Sequence, residues 1–348
     1  MGNFSLHTFD EENIKVLRTK SDMNISRDIF QIYNNIVDSI NNKVEEVIIL
    51  DNSTDFVYEL FPTLLKWKID GAIINVILKN NNDNEKHGPY RRRFLESFGC
   101  HVFTEDTIPF KGVIINGNAQ NALAVIIEDS PDGNFAHAAQ LYTNKDNELI
   151  SILRSEIISM LRIKTNTIYL RNSNYQPSIR SIAHNEIFTL LKNVSQYKNA
   201  SFSVAKINIR EILFLTKYVR GYKYRQIRTL VKHFTETGLN LFEPAKLILK
   251  DEKYTVICPP ILESHSNDLY VIEGNTRLTY CYRNGIEEAF VIVVNNVNVE
   301  LPSSDKVKVN EVVLTDITKI GKDRYNNFDY KKFRDIERSV RNPSVCLL

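Results

Sequence analysis

An acidic residue, a glycine, two small polar residues and an arginine follow one another at Glu273-Gly274-Asn275-Thr276-Arg277. Leu269 to Ile272 before them is a short apolar, β-branched run. Arg277 to Asn284 after them carries apolar residues at helical spacing, so the five residues form the turn between a strand and a helix. Asn275 or Thr276 is placed to cap that helix. Its first backbone N–H groups then point into the space above the turn, with the positive end of the helix dipole behind them. Arg277 adds a full charge, and such a corner favours an anion, phosphate above all. The plainer alternative is that Gly274 only makes a turn and Thr276 only caps a helix.

Two further groups bear on the same chemistry. Glu263, His265 and Asp268 fall between the two strands before the turn, where a carboxylate and an imidazole beside phosphates would serve as general base or metal bridge. A polar hairpin, ESHSND, would give the same pattern. Glu273 abuts the turn and is the better candidate for touching a metal or a ribose. Within Tyr218 to Phe234, the most basic and aromatic stretch, a helix would set Ile227, Leu230, Val231 and Phe234 on one face. Arg225, Arg228 and Lys232 then line the other, with Tyr222 and Tyr224 just before. Cations beside rings suit a nucleic-acid backbone with stacked bases. The same residues also fit a solvated surface helix, or one that turns its cations toward a bound nucleotide. Lys111 with Arg91, Arg92 and Arg93 forms a weaker anion patch, for which a solvated helix face is the alternative.

The elements that must position these residues can be read from the pattern. The 348 residues suffice for two domains with cores of their own. A hydrophobic share of 43% and a charged share of 25% are those of a soluble globular protein. A net charge of +2 excludes a general polyanion-binding tail. Cys100, Cys258, Cys281 and Cys346 make no C-x-x-C pair and lie mostly in apolar runs, so reduced buried thiols in a cytoplasmic protein are expected, without zinc. The N-terminal MGNFSLHTFDEENIK has no apolar core, which excludes a signal peptide, and the longest apolar runs are strand-length, so no membrane partner is expected. A helix is expected over 25–44, then strand 47–50, a helix through Phe56 to Leu65, strand 72–78, helix 89–98 and strand 101–103. This order points to a parallel α/β sheet. Strands 110–115 and 122–127 pair through Asn116-Gly117-Asn118, and an amphipathic helix over 149–163 closes the first domain. Residues 164–202 read as a linker with a connecting helix over 178–197. The second domain spans 203–300, and 301–348 adds a strand over 305–317 and an amphipathic helix over 329–340.

The turn Glu273-Gly274-Asn275-Thr276-Arg277, with Tyr254 to Glu263 before it, resembles the (D/E)-G-(H/N)-x-R turn and Pro-Ile/Val strand of the ParB/sulfiredoxin-like fold. The resemblance covers roughly a third of the chain. It implies an α+β domain in which Gly274, Asn275, Thr276 and Arg277 hold the phosphates of a nucleoside triphosphate, ATP or CTP, with Mg²⁺, and in which Glu273 and Glu263 are the catalytic candidates. The family includes chromosome-partition CTPases, sulfiredoxins, free-serine kinases, nucleases and DNA-modification proteins, so it fixes a pocket better than a reaction. No thiol stands in the turn, which excludes sulfiredoxin chemistry. Most of residues 25–163, in its order of elements and with Gly-Cys-His-Val at 99–102 and Phe-Lys-Gly-Val-Ile-Ile-Asn at 110–116, is similar to the phospholipase D-like α/β fold. The active members need H-x-K and an Asp five residues later. Aligned on Lys111, those positions hold Pro109 and Asn116, so the domain is expected to be degenerate and to serve binding or assembly. The combined expectation is a nucleotide-binding protein, NTP-hydrolysing or nuclease, working on or beside DNA in genome defence or DNA modification, as a homo-oligomer or with partner proteins. The alternatives are a free-amino-acid kinase and a non-catalytic scaffold.

Overall fold

The computed structural model describes residues 15–18, 43–52, 57, 60–79, 88–108, 110–129, 136–142, 147–165, 175–236, 238–315 and 321–341. The helix expected over 25–44, Pro109, most of the 164–177 linker and Cys346 lie outside them, apart from a few end residues. The chain divides into two compact units, Met1–Gln176 and Pro177–Leu348, and both are mixed α/β.

The first unit is a seven-stranded sheet of β1 (Lys15–Arg18), β2 (Glu46–Asp51), β3 (Ile73–Lys79), β4 (His101–Glu105), β5 (Lys111–Ile115), β6 (Leu123–Asp129) and β7 (Ala136–Tyr142), in the order β1-β7-β6-β5-β2-β3-β4. As expected from the alternation of strands and helices, β2, β3 and β4 are parallel, with α1 (Phe61–Ile69) and α2 (Gly88–Ser97) in the connections. The remaining pairs are antiparallel, and β1 and β7 had no counterpart in the sequence reading. The helix α3 (Asn147–Thr165) lays Ile150, Leu153, Ile157 and Leu161, one residue per turn, against Ile48, Leu50, Ile77, Ile114 and Ile126 of the sheet. The ring of Phe61 in α1 stands 5.0 Å from that of Phe94 and 5.0 Å from that of Phe98.

The second unit is built on a six-stranded sheet. It contains β9 (Ser201–Asn208), β10 (Leu213–Phe214), β14 (Ile261–His265), β15 (Asp268–Glu273), β16 (Glu288–Asn295) and β17 (Val307–Lys308), in the order β17-β10-β15-β14-β16-β9. A second sheet joins β8 (Ser178–Ser181), β12 (Ala245–Ile248) and β13 (Tyr254–Ile257), all antiparallel. The short strands β11 (Tyr218–Arg220) and β18 (Val313–Thr315) pair in parallel. The helices are α4 (His184–Leu191), α5 (Gly221–Glu236), α6 (Asn275–Arg283) and α7 (Gly321–Arg324). Alternation along β16 divides the core in two. Val291 and Val293 pack with Leu278 and Cys281 of α6. Ile292 and Val294 pack with Ile187 and Leu191 of α4 and with Ile336 and Val340 near the C-terminus.

Three sequence expectations are corrected here. Residues 178–181, read as the start of a helix, pair with β12 as a short strand in which only Ile179 is partly buried. Residues 177–202 therefore belong to the core of the second unit rather than to a connector. The strand over 305–317 is two short strands around a 3₁₀ turn, Val309–Glu311. The helix over 329–340 is instead a 3₁₀ turn at Tyr330–Lys332, extended backbone at Phe333 and a π-helical turn at Glu337–Arg341. The break falls where Arg334 turns into the core.

Candidate anion-binding site

β15 ends at Glu273, and Gly274 turns the chain with φ +97°. A Cβ at that position would stand 2.7 Å from the Pro260 side chain and 2.9 Å from its Cα, so both the left-handed backbone and the close approach demand glycine. Gly274 is itself the N-cap of α6, with no side-chain cap. The expectation that Asn275 or Thr276 caps the helix is thus corrected: Asn275 is already its first residue. The amides of the first turn are left to solvent or ligand, as an anion corner requires. Gly285, with φ +74°, follows the helix where a left-handed residue was expected.

Arg277 does not reach over the turn. It is buried, and Nη1 donates to the carbonyls of Cys258 and Leu241, stitching the segment before Pro260 to α6. Burial lowers its pKa, opposed by Cys258 and Glu273, and raises that of the Cys258 thiol.

The cations that do face the turn come from elsewhere. Lys223 lies in the first turn of α5. Its side chain is solvent-exposed, yet the surrounding protein lowers its pKa by desolvation, with Glu273 raising it and Arg341 and Arg220 lowering it further. Exposure combined with desolvation marks a group that lines a hollow rather than a convex surface. Arg341 Nη1 stands 3.5 Å from Glu273 Oε1 and 3.3 Å from Glu337 Oε2. Burial raises the pKa of Tyr325, and Arg324, Glu273 and Arg220 act on it as well. Neither α5 nor α6 has an acidic residue in its first turn. A lysine in the first turn of α5 works against that helix's own dipole, a local cost that an anion would offset. Asn275 Oδ1 is enclosed at the same turn without a hydrogen-bond partner.

Glu263 is not part of this hollow. It is fully buried, and its carboxylate accepts from four donors. Arg334 gives Nε to Oε1 and Nη2 to Oε2, both at 2.7 Å; Tyr197 Oη gives to Oε1 at 2.6 Å; His265 Nε2 lies 2.8 Å from Oε2. The catalytic role expected of Glu263 is corrected accordingly: every lone-pair direction is taken by a structural partner. His265 and Asp268 flank a tight hairpin whose turn, Ser266-Asn267, has φ +50° and +70°. Of the nucleic-acid candidates on α5, Arg228 and Lys232 are exposed and Arg225 is half-buried. Arg228 acts on Tyr280, whose ring lies 5.6 Å from that of Tyr224. Sequence reasoning missed Arg220, Lys223, Tyr325 and Arg341. The basic run at 218–225 was the available signal for the first two.

In the first unit, Asn116 stands where active phospholipase D-like proteins carry the aspartate. It is buried at φ +49°, accepts from the amides of Glu45 and Glu46 at 2.8 and 3.2 Å, and donates to the Lys43 carbonyl at 3.0 Å. Lys111 Nζ lies 3.5 Å from buried Asp51 Oδ1. The side-chain amide serves the backbone, and Asn116→Ala should cost the unit about 2–3 kcal/mol by orphaning those groups. Denaturation followed by the fluorescence of Trp67, the one tryptophan of the chain, checks this.

Cys100, Cys258 and Cys281 are free and buried. Among the described residues, no helix is long and apolar enough to cross a membrane.

Comparison with known proteins agrees with the first unit's geometry. Residues 56–165 match the family model of the inactive HKD-Rease, which supports a degenerate phospholipase D-like unit. No curated protein matches the chain. Among solved structures, the archaeal chromatin protein TrmBL2 is similar over 45% of this chain and 55% of its own, at 9% identity and a TM-score of 0.32. Polyphosphate kinase from Porphyromonas gingivalis is similar over 64% and 36%, at 8% identity and a TM-score of 0.32. The chain spans less than two thirds of the length of either structure.

Proposed function

We propose that the chain is a nucleotide-binding protein acting on or beside DNA, with a ParB/sulfiredoxin-like pocket in the second unit and a non-cleaving phospholipase D-like module in the first. The observation that carries this is the pairing of Arg341 with Glu273 at 3.5 Å beside the uncapped start of α6, with Lys223 under the electrostatic influence of Glu273, Arg341 and Arg220. Backbone amides of Asn275 and Thr276 hold the phosphates, Lys223 and Arg341 neutralise them, and Arg277 holds the turn in shape from beneath. The ligand is a nucleoside triphosphate, ATP or CTP. Arg225, Arg228 and Lys232 are offered as the contact to a nucleic-acid backbone, supported by the exposure of the latter two. The loss of both H-x-K-and-Asp partners and the family match support the first unit as a recognition or assembly module.

A specific observation favours a second, non-catalytic reading over the amino-acid kinase. Glu263, the carboxylate best placed in sequence to deprotonate an acceptor, is enclosed by Arg334, Tyr197 and His265. Calorimetric titration of ATP and CTP into the full chain tests the main reading. Lys223→Ala should weaken binding at least about tenfold, the effect of losing one charge-assisted contact. Unchanged affinity would refute the assignment. Turnover measured alone, with DNA and with an amino-acid mixture separates switch, DNA-dependent enzyme and kinase.

A further inference from the structure

The fold resemblance carries an expectation of Mg²⁺, and the residues of the hollow do not fit it. A magnesium ion in a phosphate site takes an oxygen shell in which one or two carboxylates join phosphate and water. Here Glu273 shares its charge with Arg341 at 3.5 Å, and Glu337 is itself paired with Arg341 at 3.3 Å. Glu263, the other carboxylate the sequence offered, is consumed by Arg334, Tyr197 and His265. Arg220, Lys223, Arg277 and Arg341 all act on this corner. A divalent cation brought there finds both Glu273 and Glu337 already paired with Arg341, whereas a dianion finds cations to meet it.

We infer that the second unit binds a phosphate-bearing ligand without a divalent metal, its arginines and lysine doing the neutralising that a metal does elsewhere. This rests on the nucleotide reading above and narrows it. The ligand presents a dianionic phosphate to Lys223, Arg341 and the amides of α6. Since in-line phosphoryl transfer relies on a metal to bridge the reacting oxygens, a site of this kind holds its nucleotide instead of turning it over. Glu273 is then a carboxylate that opposes the anion.

That last point gives the test its sign. A carboxylate that ligates a metal strengthens phosphate binding, and one that merely faces the anion weakens it. Calorimetry with ATP, CTP and pyrophosphate is run on the full chain and on Glu273→Gln, in EDTA and in excess MgCl₂. The expected result is binding of at least one nucleotide in EDTA, at an affinity equal to or tighter than with magnesium. Glu273→Gln should tighten binding in EDTA about tenfold, the scale of one unit charge removed at short range. Binding that appears only with magnesium, or is weakened tenfold by Glu273→Gln, overturns the inference and leaves the nucleotide reading standing. Binding in neither buffer removes that reading, and this one with it.

Discussion

Glu263→Ala should destabilise the second unit by about 3–5 kcal/mol, the cost of leaving a buried charge without its partner. Arg334 and Glu263 are both wholly enclosed and joined by two parallel hydrogen bonds. Removing the carboxylate strands the guanidinium, whose remaining bonds go to the carbonyls of Val299, Glu300 and Lys332. Tyr197 and His265 lose their acceptor as well. Against the 5–15 kcal/mol that hold a domain together, a loss of that size leaves the fold marginal. Urea denaturation followed by far-ultraviolet circular dichroism measures it, and hydrogen exchange over 261–265 localises it. The double variant Glu263→Met with Arg334→Met should recover much of the loss, because no charge is left unpaired. A cost below about 1 kcal/mol for the single change, the range of exposed pairs, would mean that water reaches the pair. The consequence extends to the hollow. Arg334 anchors the C-terminal segment seven residues before Arg341, so the weakened lock should also loosen the cation that faces Glu273.

The strand, turn and helix around Gly274 were legible because their causes are local. A β-branched run, a glycine forced to positive φ and a second glycine after the helix are all visible within eighteen residues. The parallel strands of the first unit were legible for the same reason, as apolar runs of strand length. What pairs with what was not. Arg334 lies 71 residues from Glu263, and Arg341 lies 68 from Glu273. Neither distance leaves a trace in periodicity. The helix expected over 329–340 fails instructively: Tyr330, Phe333 and Ile336 are spaced for a helix face, yet Ile336 is buried while Tyr330 is 80% exposed. Burying Arg334 against Glu263 takes precedence over helix continuity, and the backbone is extended at Phe333. Residues 178–181 were misread because a single isoleucine in four residues carries no period at all, and only β12 makes them a strand.

Arg277 was assigned to the phosphates, and Lys223 was missed, for a related reason. A motif shows that an arginine follows the turn, and only packing decides which way it leaves. Arg277→Ala should lower the stability of the second unit by about 2–4 kcal/mol, since the Cys258 and Leu241 carbonyls lose their donor and a buried side chain leaves a cavity. Its effect on nucleotide affinity should follow that loss, with binding restored when the fold is stabilised by lower temperature or an excluded osmolyte. Lys223→Ala, at a solvent-exposed position, should change stability by no more than about 0.5 kcal/mol and yet lose affinity under every condition. Denaturation and calorimetry on the two variants side by side make the comparison. An Arg277→Ala protein of full stability that binds no nucleotide would return the guanidinium to the phosphates, and the cations of α5 and the C-terminal turn would then have no ligand to explain them.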